Sequence, residues 1–192
     1  EHMIEKALSL GMSHLCFTEH FDPDYPVRDG ETLDFSLNTH DYRNAFLTYK
    51  EKYCKQITLL WGVELGLQTI HEASARFIRR GYPLEVYTDA VERLSAHGIE
   101  VVTHVILGLP GETREMMLDT VKYLNTLPLQ GIKLQLLHVL DGTDLGTYYK
   151  NTGFHVLEEN EYVNLILECI EHLRPEITVH RITGDGPKDL LI

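Results

Sequence analysis

In parallel α/β chains, reactive side chains gather where strands end. In this sequence that rule picks out Glu19, His20 and Asp22, then Glu64 and Gln68, then Gly108-Leu109-Pro110-Gly111-Glu112. It continues with His138, Asp141 and Thr143, and closes with His180, Arg181 and Asp185. His20 and Glu64 suit a divalent ion, because imidazole binds Zn, Mn or Fe and a carboxylate holds hard cations. A working site needs a further ligand, for which His2, Asp22 and His180 are the available residues. Gly108 and Gly111 flank a proline just before a helix start at Thr113, where free N–H groups can hold an anion or a cofactor carboxylate. A plain βα turn has the same appearance. The Gly-Lys-Ser/Thr ending of a phosphate-binding loop is absent, as are the Gly-x-Gly-x-x-Gly fingerprint and the Gly-x-Ser-x-Gly nucleophile elbow. His104 lies within an expected strand and reads as a core histidine, while Glu72, Arg76, Arg79 and Arg80 read as a solvated helix face.

The elements that must position these residues alternate between helix and strand. Apolar spacing predicts helices over 1–10, 42–53, 72–80, 84–97, 114–127 and 162–173. Apolar runs predict strands over 13–18, 57–63, 101–107, 132–137 and 177–181. Residues 19–38, rich in Asp, Pro and Gly, read as a long loop, and long loops often carry function. Strands separated by helix-length stretches pair in parallel. The expected class is therefore α/β, an incomplete (β/α) barrel of about five mostly parallel strands alternating with helices. A closed barrel takes eight strands and about 250 residues. Open edges make a second copy of the chain an expected partner.

Composition narrows the function classes. Seventeen Lys and Arg against 29 Asp and Glu give a net charge of −12 over 192 residues, which disfavours nonspecific nucleic-acid binding. Cys16, Cys54 and Cys169 are too scattered for a disulfide framework, a zinc finger or an iron–sulfur motif. No apolar run approaches the roughly 20 residues of a membrane span, and no signal peptide opens the chain. A cytoplasmic protein acting on a small molecule, without membrane contact, is the expectation.

Two resemblances follow from longer stretches. Phe17-Thr18-Glu19-His20-Phe21-Asp22, Tyr25-Pro26 and Gly62-Val63-Glu64 resemble the PHP phosphoesterase family, in its histidinol phosphatase branch. The resemblance implies a divalent metal (Mn, Zn or Fe) on His20 and Glu64, acting on a phosphomonoester. Residues 62–192 resemble the C-terminal part of a radical S-adenosylmethionine protein. The matching stretches are Val63-Glu64-Leu65-Gly66-Leu67-Gln68-Thr69, His104-Val105-Ile106-Leu107-Gly108-Leu109-Pro110-Gly111-Glu112-Thr113 and His180-Arg181-Ile182-Thr183-Gly184-Asp185-Gly186-Pro187. This second resemblance implies S-adenosylmethionine as cofactor, held at Ile106, Gly108, Gly111, Val139 and Thr143. The Cys-x-x-x-Cys-x-x-Cys loop that holds the cluster in that family is not in the sequence, so an iron–sulfur cluster is not expected on this chain.

The expectation is a composite: a PHP-like segment over 1–61 joined to a radical-SAM-like segment over 62–192, packed as one partial-barrel domain. As a fragment or chimera without its cluster motif it would retain adenosyl binding and no robust catalysis alone. A metal-dependent phosphomonoesterase fragment and a non-enzymatic α/β scaffold are the alternatives.

Overall fold

The computed structural model describes residues 1–18, 39–184 and 186–192. Its elements in chain order are α1 (His2–Ser9), β1 (His14–Thr18), α2 (Thr39–Tyr53), β2 (Thr58–Gln68), α3 (Glu72–Phe77) and α4 (Leu84–Ala96). They continue as β3 (Glu100–Leu107), α5 (Arg114–Leu124), β4 (Gly131–Leu136), α6 (Asp144–Thr152), α7 (Glu159–His172) and β5 (Thr178–Arg181). The strands follow the order β1-β2-β3-β4-β5 in one sheet, with parallel pairing in β1–β2, β3–β4 and β4–β5. This is the α/β class expected from the sequence, five strands wound in the sequential order of a (β/α) barrel and left open.

The chain divides into two compact units, Glu1–Glu64 and Leu65–Ile192. The first has its own core of Ile4, Ala7, Phe46, Tyr53, Ile57 and Leu59, with Leu15, Phe17, Tyr49 and Trp61 packed on it. Ile4 and Ala7 lie three residues apart, one helical turn, so α1 shows a single apolar stripe to this core. Phe46 sits 5.8 Å from Trp61 between ring centroids and 6.3 Å edge-on from Phe17, the offset geometry that aromatic quadrupoles favour.

The second unit is built on β3 and β4. Val101, Val105 and Leu107 alternate along β3, Ile132 and Leu134 along β4, and all face one core. Helices α4, α5 and α7 close it with Tyr87 and Val91, with Met117, Val121 and Leu124, and with Leu165, Ile166 and Cys169. Thr103 is buried on the same face, and its hydroxyl pairs with the Tyr87 hydroxyl. Local chemistry sets the helix starts. The Thr113 hydroxyl accepts from the Met116 N–H to open α5, and Glu158 and Glu161 form a reciprocal capping box on α7. The last residues fold back on the sheet: Leu190 O accepts from Asp141 N–H and Val139 O from Ile192 N–H.

Several elements depart from the expected boundaries: α2 and α7 each begin three residues earlier than expected, and α5 ends three residues sooner. β2 runs to Gln68 instead of stopping at residue 63, so Glu64 lies inside the strand and Gln68 ends it. α3 stops at Phe77 instead of Arg80. Residues 144–152, which no periodicity singled out, form α6. Among the described residues, no helix is long and apolar enough to cross a membrane.

Two outcomes test this packing. An added Cβ at Gly146 would stand 2.2 Å from Leu140 O, so Gly146→Ala is expected to cost about 1–3 kcal/mol in denaturant unfolding. Burial pushes the Cys169 thiol up to about 12, whereas Cys54 is exposed. In a thiol-titration experiment on the native protein, Cys54 is expected to react first and Cys169 only after unfolding.

Candidate functional site: a cavity at the ends of β3 and β4

A cavity of about 430 Å³ opens in the second unit. Its walls are Phe77, Ile78 and Arg79 from the end of α3, Ile106 and Leu109 from β3 and its turn, Leu137 after β4, and Asp144, Leu145 and Tyr148 from α6. Phe77 and Tyr148 meet edge to face at 5.1 Å. At the rim, Arg79 Nη2 donates to Asp144 Oδ2 at 2.7 Å. Both side chains are exposed, so water screens the pair and holding it adds little to stability.

The turn after β3 gives Leu109 to the cavity. Gly108 has φ +88°, and a Cβ there would lie 3.2 Å from Leu157 Cδ1, so glycine meets both the backbone and the space requirement. Its N–H points to Met117 Sδ at 3.0 Å, and Leu107 O accepts from the Leu137 N–H at 2.9 Å. On the other side, the Thr143 hydroxyl donates to Leu140 O and accepts from Gly146 N–H, which starts α6 and presents Asp144, Leu145 and Tyr148. Asp141 accepts from Gly142 N–H and from Lys150; the Lys150 ammonium and then that N–H hold its carboxyl below the usual range.

One buried side chain fixes the end of β2. Arg80 is 2% exposed. Its guanidinium donates to Leu67 O at 3.2 Å, Thr69 O at 2.7 Å, Tyr82 O at 2.9 Å and Glu72 Oε1 at 2.9 Å. Between the first two carbonyls stands Gln68, with φ +64°. Gln68 Oε1 is buried and has no hydrogen-bond partner. Thr69 then donates to Glu112 Oε1 at 2.6 Å, tying β2 to the Gly108–Glu112 turn.

Of the residues expected to hold a cofactor, Ile106 lines the cavity, and Gly108, Gly111, Val139 and Thr143 do not. Val139 is buried, and the Thr143 hydroxyl is engaged as a helix cap. His20, Asp22 and Asp185 lie outside the described residues. Glu64 lies in β2, and no geometry relates it to His20. Among the described residues, no group of three or more His, Cys, Asp or Glu could hold a metal ion. The sequence reading missed Phe77, Asp144, Leu145 and Tyr148. Gly142-Thr143-Asp144 was the available signal, an N-cap followed by an acidic first position.

The buried clamp makes a direct prediction. Lysine at position 80 keeps the charge and loses the fork that reaches several acceptors. Arg80→Lys is expected to lower unfolding free energy by about 2 kcal/mol, the size of a lost charge-assisted hydrogen bond to a buried carbonyl. Thr113→Ala, removing only a cap, is expected to cost about 1 kcal/mol in the same denaturation series.

Comparison with known proteins corrects the composite reading. The model of the radical SAM superfamily matches residues 14–124, and that of a radical SAM C-terminal domain matches residues 129–192. The first match runs unbroken across residues 62–67, where two families were expected to join, so one family covers both sides. The PHP-like assignment rested on short stretches, Phe17–Asp22, Tyr25-Pro26 and Gly62-Val63-Glu64, the last of which lies inside β2. Among curated relatives, the uncharacterized protein YtqA of Bacillus subtilis is 47% identical over 135 residues, covering 70% of this chain and 42% of its own. The uncharacterized protein MJ0486 of Methanocaldococcus jannaschii is 34% identical over 164 residues, covering 84% and 51%. The chain thus spans about half the length of these relatives. A solved structure, the archaeal Methanocaldococcus infernus Elp3 with an N-terminal deletion, superposes with TM-score 0.70 at 18% identity, over 100% of this chain and 53% of that one. It shares the fold. The chain belongs to the radical SAM superfamily.

Proposed function

We propose that residues 65–192 hold the adenosyl portion of S-adenosylmethionine in the cavity at the ends of β3 and β4. The observation that carries this reading is the aromatic, partly enclosed cavity between Ile106, Phe77 and Tyr148. Its volume of about 430 Å³ falls in the range of small-ligand sites, roughly 300–1,000 Å³. A flat base gains from aromatic edges and faces such as Phe77 and Tyr148. The apolar side chains of Leu109, Leu137 and Leu145 exclude water around it. Asp144 at the rim is an acceptor for ribose hydroxyls. Arg79, released from Asp144 at little cost, is a donor for a carboxylate.

S-adenosylmethionine supplies one-electron radical chemistry when an iron–sulfur cluster delivers the electron. The residues of this chain do not fit such a cluster. Its three cysteines are widely spaced in sequence, and Cys169 is buried in α7 with its thiol held protonated. The reading therefore assigns this chain to binding and orienting the nucleoside, with no electron transfer through its own residues.

Titration calorimetry with adenosine and with S-adenosylmethionine tests this. Saturable binding of both is expected. Tyr148→Ala is expected to weaken adenosine binding about tenfold, the upper value for one aromatic contact. Ile106→Trp, which fills the cavity from the strand side, is expected to abolish it. Binding unaffected by either substitution would move the ligand elsewhere and defeat the reading.

A further inference from the structure

We infer that a second cavity, beside the end of α3, is a binding site for the carboxylate or phosphate of a small ligand, with Arg76 as its anchoring cation. The cavity measures about 440 Å³. It is lined by Glu72, Ala75 and Arg76 of α3 and by Arg79, Tyr82 and Pro83 beyond it. That volume falls within the roughly 300–1,000 Å³ of small-ligand sites. Arg79 is wall both to this cavity and to the one of Ile106 and Phe77.

Charge pairing around α3 leaves one cation over. Glu72 and Arg76 stand four residues apart, the separation at which an acid and a base pair on one helix face. The structure does not form that pair. Glu72 Oε1 accepts instead from Arg80 Nη2 at 2.9 Å and from the Leu84 N–H at 2.9 Å. Arg80 is 2% exposed, and a buried guanidinium stripped of its carboxylate is strongly unfavourable, so Glu72 stays with Arg80. Arg79 is engaged by Asp144. The guanidinium of Arg76 makes no ion pair or hydrogen bond among the described residues. Acidic side chains outnumber basic ones 29 to 17, so this cation is left over by placement and not by a shortage of acids. Arg76 is exposed along the cavity wall, and its planar fork of donors matches a carboxylate or a phosphate.

The backbone shapes the remaining walls. α3 closes with the two bonds of a Schellman turn, Arg79 N–H to Arg76 O at 3.1 Å and Arg80 N–H to Ala75 O at 2.9 Å. Glycine ordinarily takes the left-handed position of that turn, but here it is Arg79, with φ +59°. Glycine comes two residues later at Gly81, where φ is +87° and the nearest atom to an added Cβ is Arg79 O at 3.9 Å. The strained position thus carries a long cationic side chain, and backbone strain of this kind gathers at ligand sites. Tyr82 is held by its hydroxyl, which donates to Gly66 O, and by the Arg80 guanidinium 5.3 Å from its ring centroid. Its ring and Pro83 give an apolar wall for the body of a ligand. Glu72 Oε2 accepts no hydrogen bond among the described residues and is an acceptor for a ligand hydroxyl or amine. The net charge of −12 opposes an extended polyanion, so the anion belongs to a small molecule. The guanidinium of Arg79 is turned to Asp144, so this site stands whatever the first cavity binds.

The test follows arginine Nε–H and tyrosine ring signals by heteronuclear NMR on the whole 192-residue chain, at fixed pH and ionic strength. Inorganic phosphate and acetate are titrated separately, with chloride as reference. Saturable shifts of the Arg76 Nε–H and the Tyr82 ring are expected with at least one of the two anions, and none with chloride. Tighter saturation by phosphate assigns the site to a phosphate-bearing ligand, and tighter saturation by acetate to a carboxylate-bearing one. Read at the Tyr82 ring, Arg76→Gln is expected to weaken binding about tenfold, the loss of one hydrogen bond to a charged group, with an unchanged circular dichroism spectrum. Arg93→Gln removes another exposed arginine, one paired with Asp89, and is expected to leave the affinity unchanged. Signals that follow neither anion, an Arg76→Gln protein that binds as well as the parent, or equal losses in the two variants would overturn the inference. Adenosine moves the Tyr148 and Phe77 rings instead, so failure of one site is read separately from failure of the other.

Discussion

The end of β2 depends on a single buried cation. Gln68 adopts a left-handed backbone conformation, which costs a residue with a side chain roughly 1–2 kcal/mol. That bend directs the carbonyls of Leu67 and Thr69 to Arg80, whose other nitrogens take Tyr82 O and Glu72. A hydrogen bond to a charged group contributes about 1.5–3 kcal/mol, so two carbonyls on one guanidinium outweigh the strain between them. The Glu72 carboxylate also accepts from the Leu84 N–H at the start of α4. A strand end, two helix starts and a turn therefore share one ion, and desolvating that ion without its full set of acceptors would be unfavourable. This explains how an arginine that the sequence placed on a solvated helix face comes to be almost fully buried.

From that fixed point the cavity is assembled by short links. Thr69 carries the position of β2 to Glu112, and the Leu137 N–H carries that of β3 to the residues after β4. Thr143 then sets the start of α6 against Leu140. The first two links are single hydrogen bonds between residues at or after the ends of neighbouring strands, and the third is a local helix cap.

The alternation of helix and strand was legible because β3, β4, α4 and α5 carry strong periodic apolar signals with glycine or threonine at their ends. What failed was local. The strand expected over 57–63 continues through Gly66 to Gln68, since a paired strand tolerates glycine where another group approaches closely; the Gln68 side chain lies 2.9 Å from where a Gly66 Cβ would be. α6 was missed because Gly146, Tyr148 and Tyr149 are weak helix formers, and its glycine is there for contact with Leu140 O rather than for helicity. The aromatic walls of the cavity went unseen for the same reason, since they ride on α6 and on the last turn of α3. The join between two families was an over-reading of short stretches such as Phe17–Asp22 and Gly62–Glu64, which one family match over residues 14–124 spans. A motif that short reports the architecture it sits in before it reports a chemistry.

One register governs both ends of the exposed sheet face. His104 faces Lys133, and two residues later Ile106 faces Gln135. A slip of one residue in β4 would carry Lys133 into the apolar core and turn Ile132 and Leu134 to the opposite face. The burial of two β4 side chains on one face thus fixes the placement of two basic side chains on the other. β5 relaxes this coupling through its bulge, which lets Val179 remain in the core while His180 and Arg181 stay on the opposite face. A regular strand could place only one of those two consecutive residues there, so the bulge is what keeps Val179 in the core beside them.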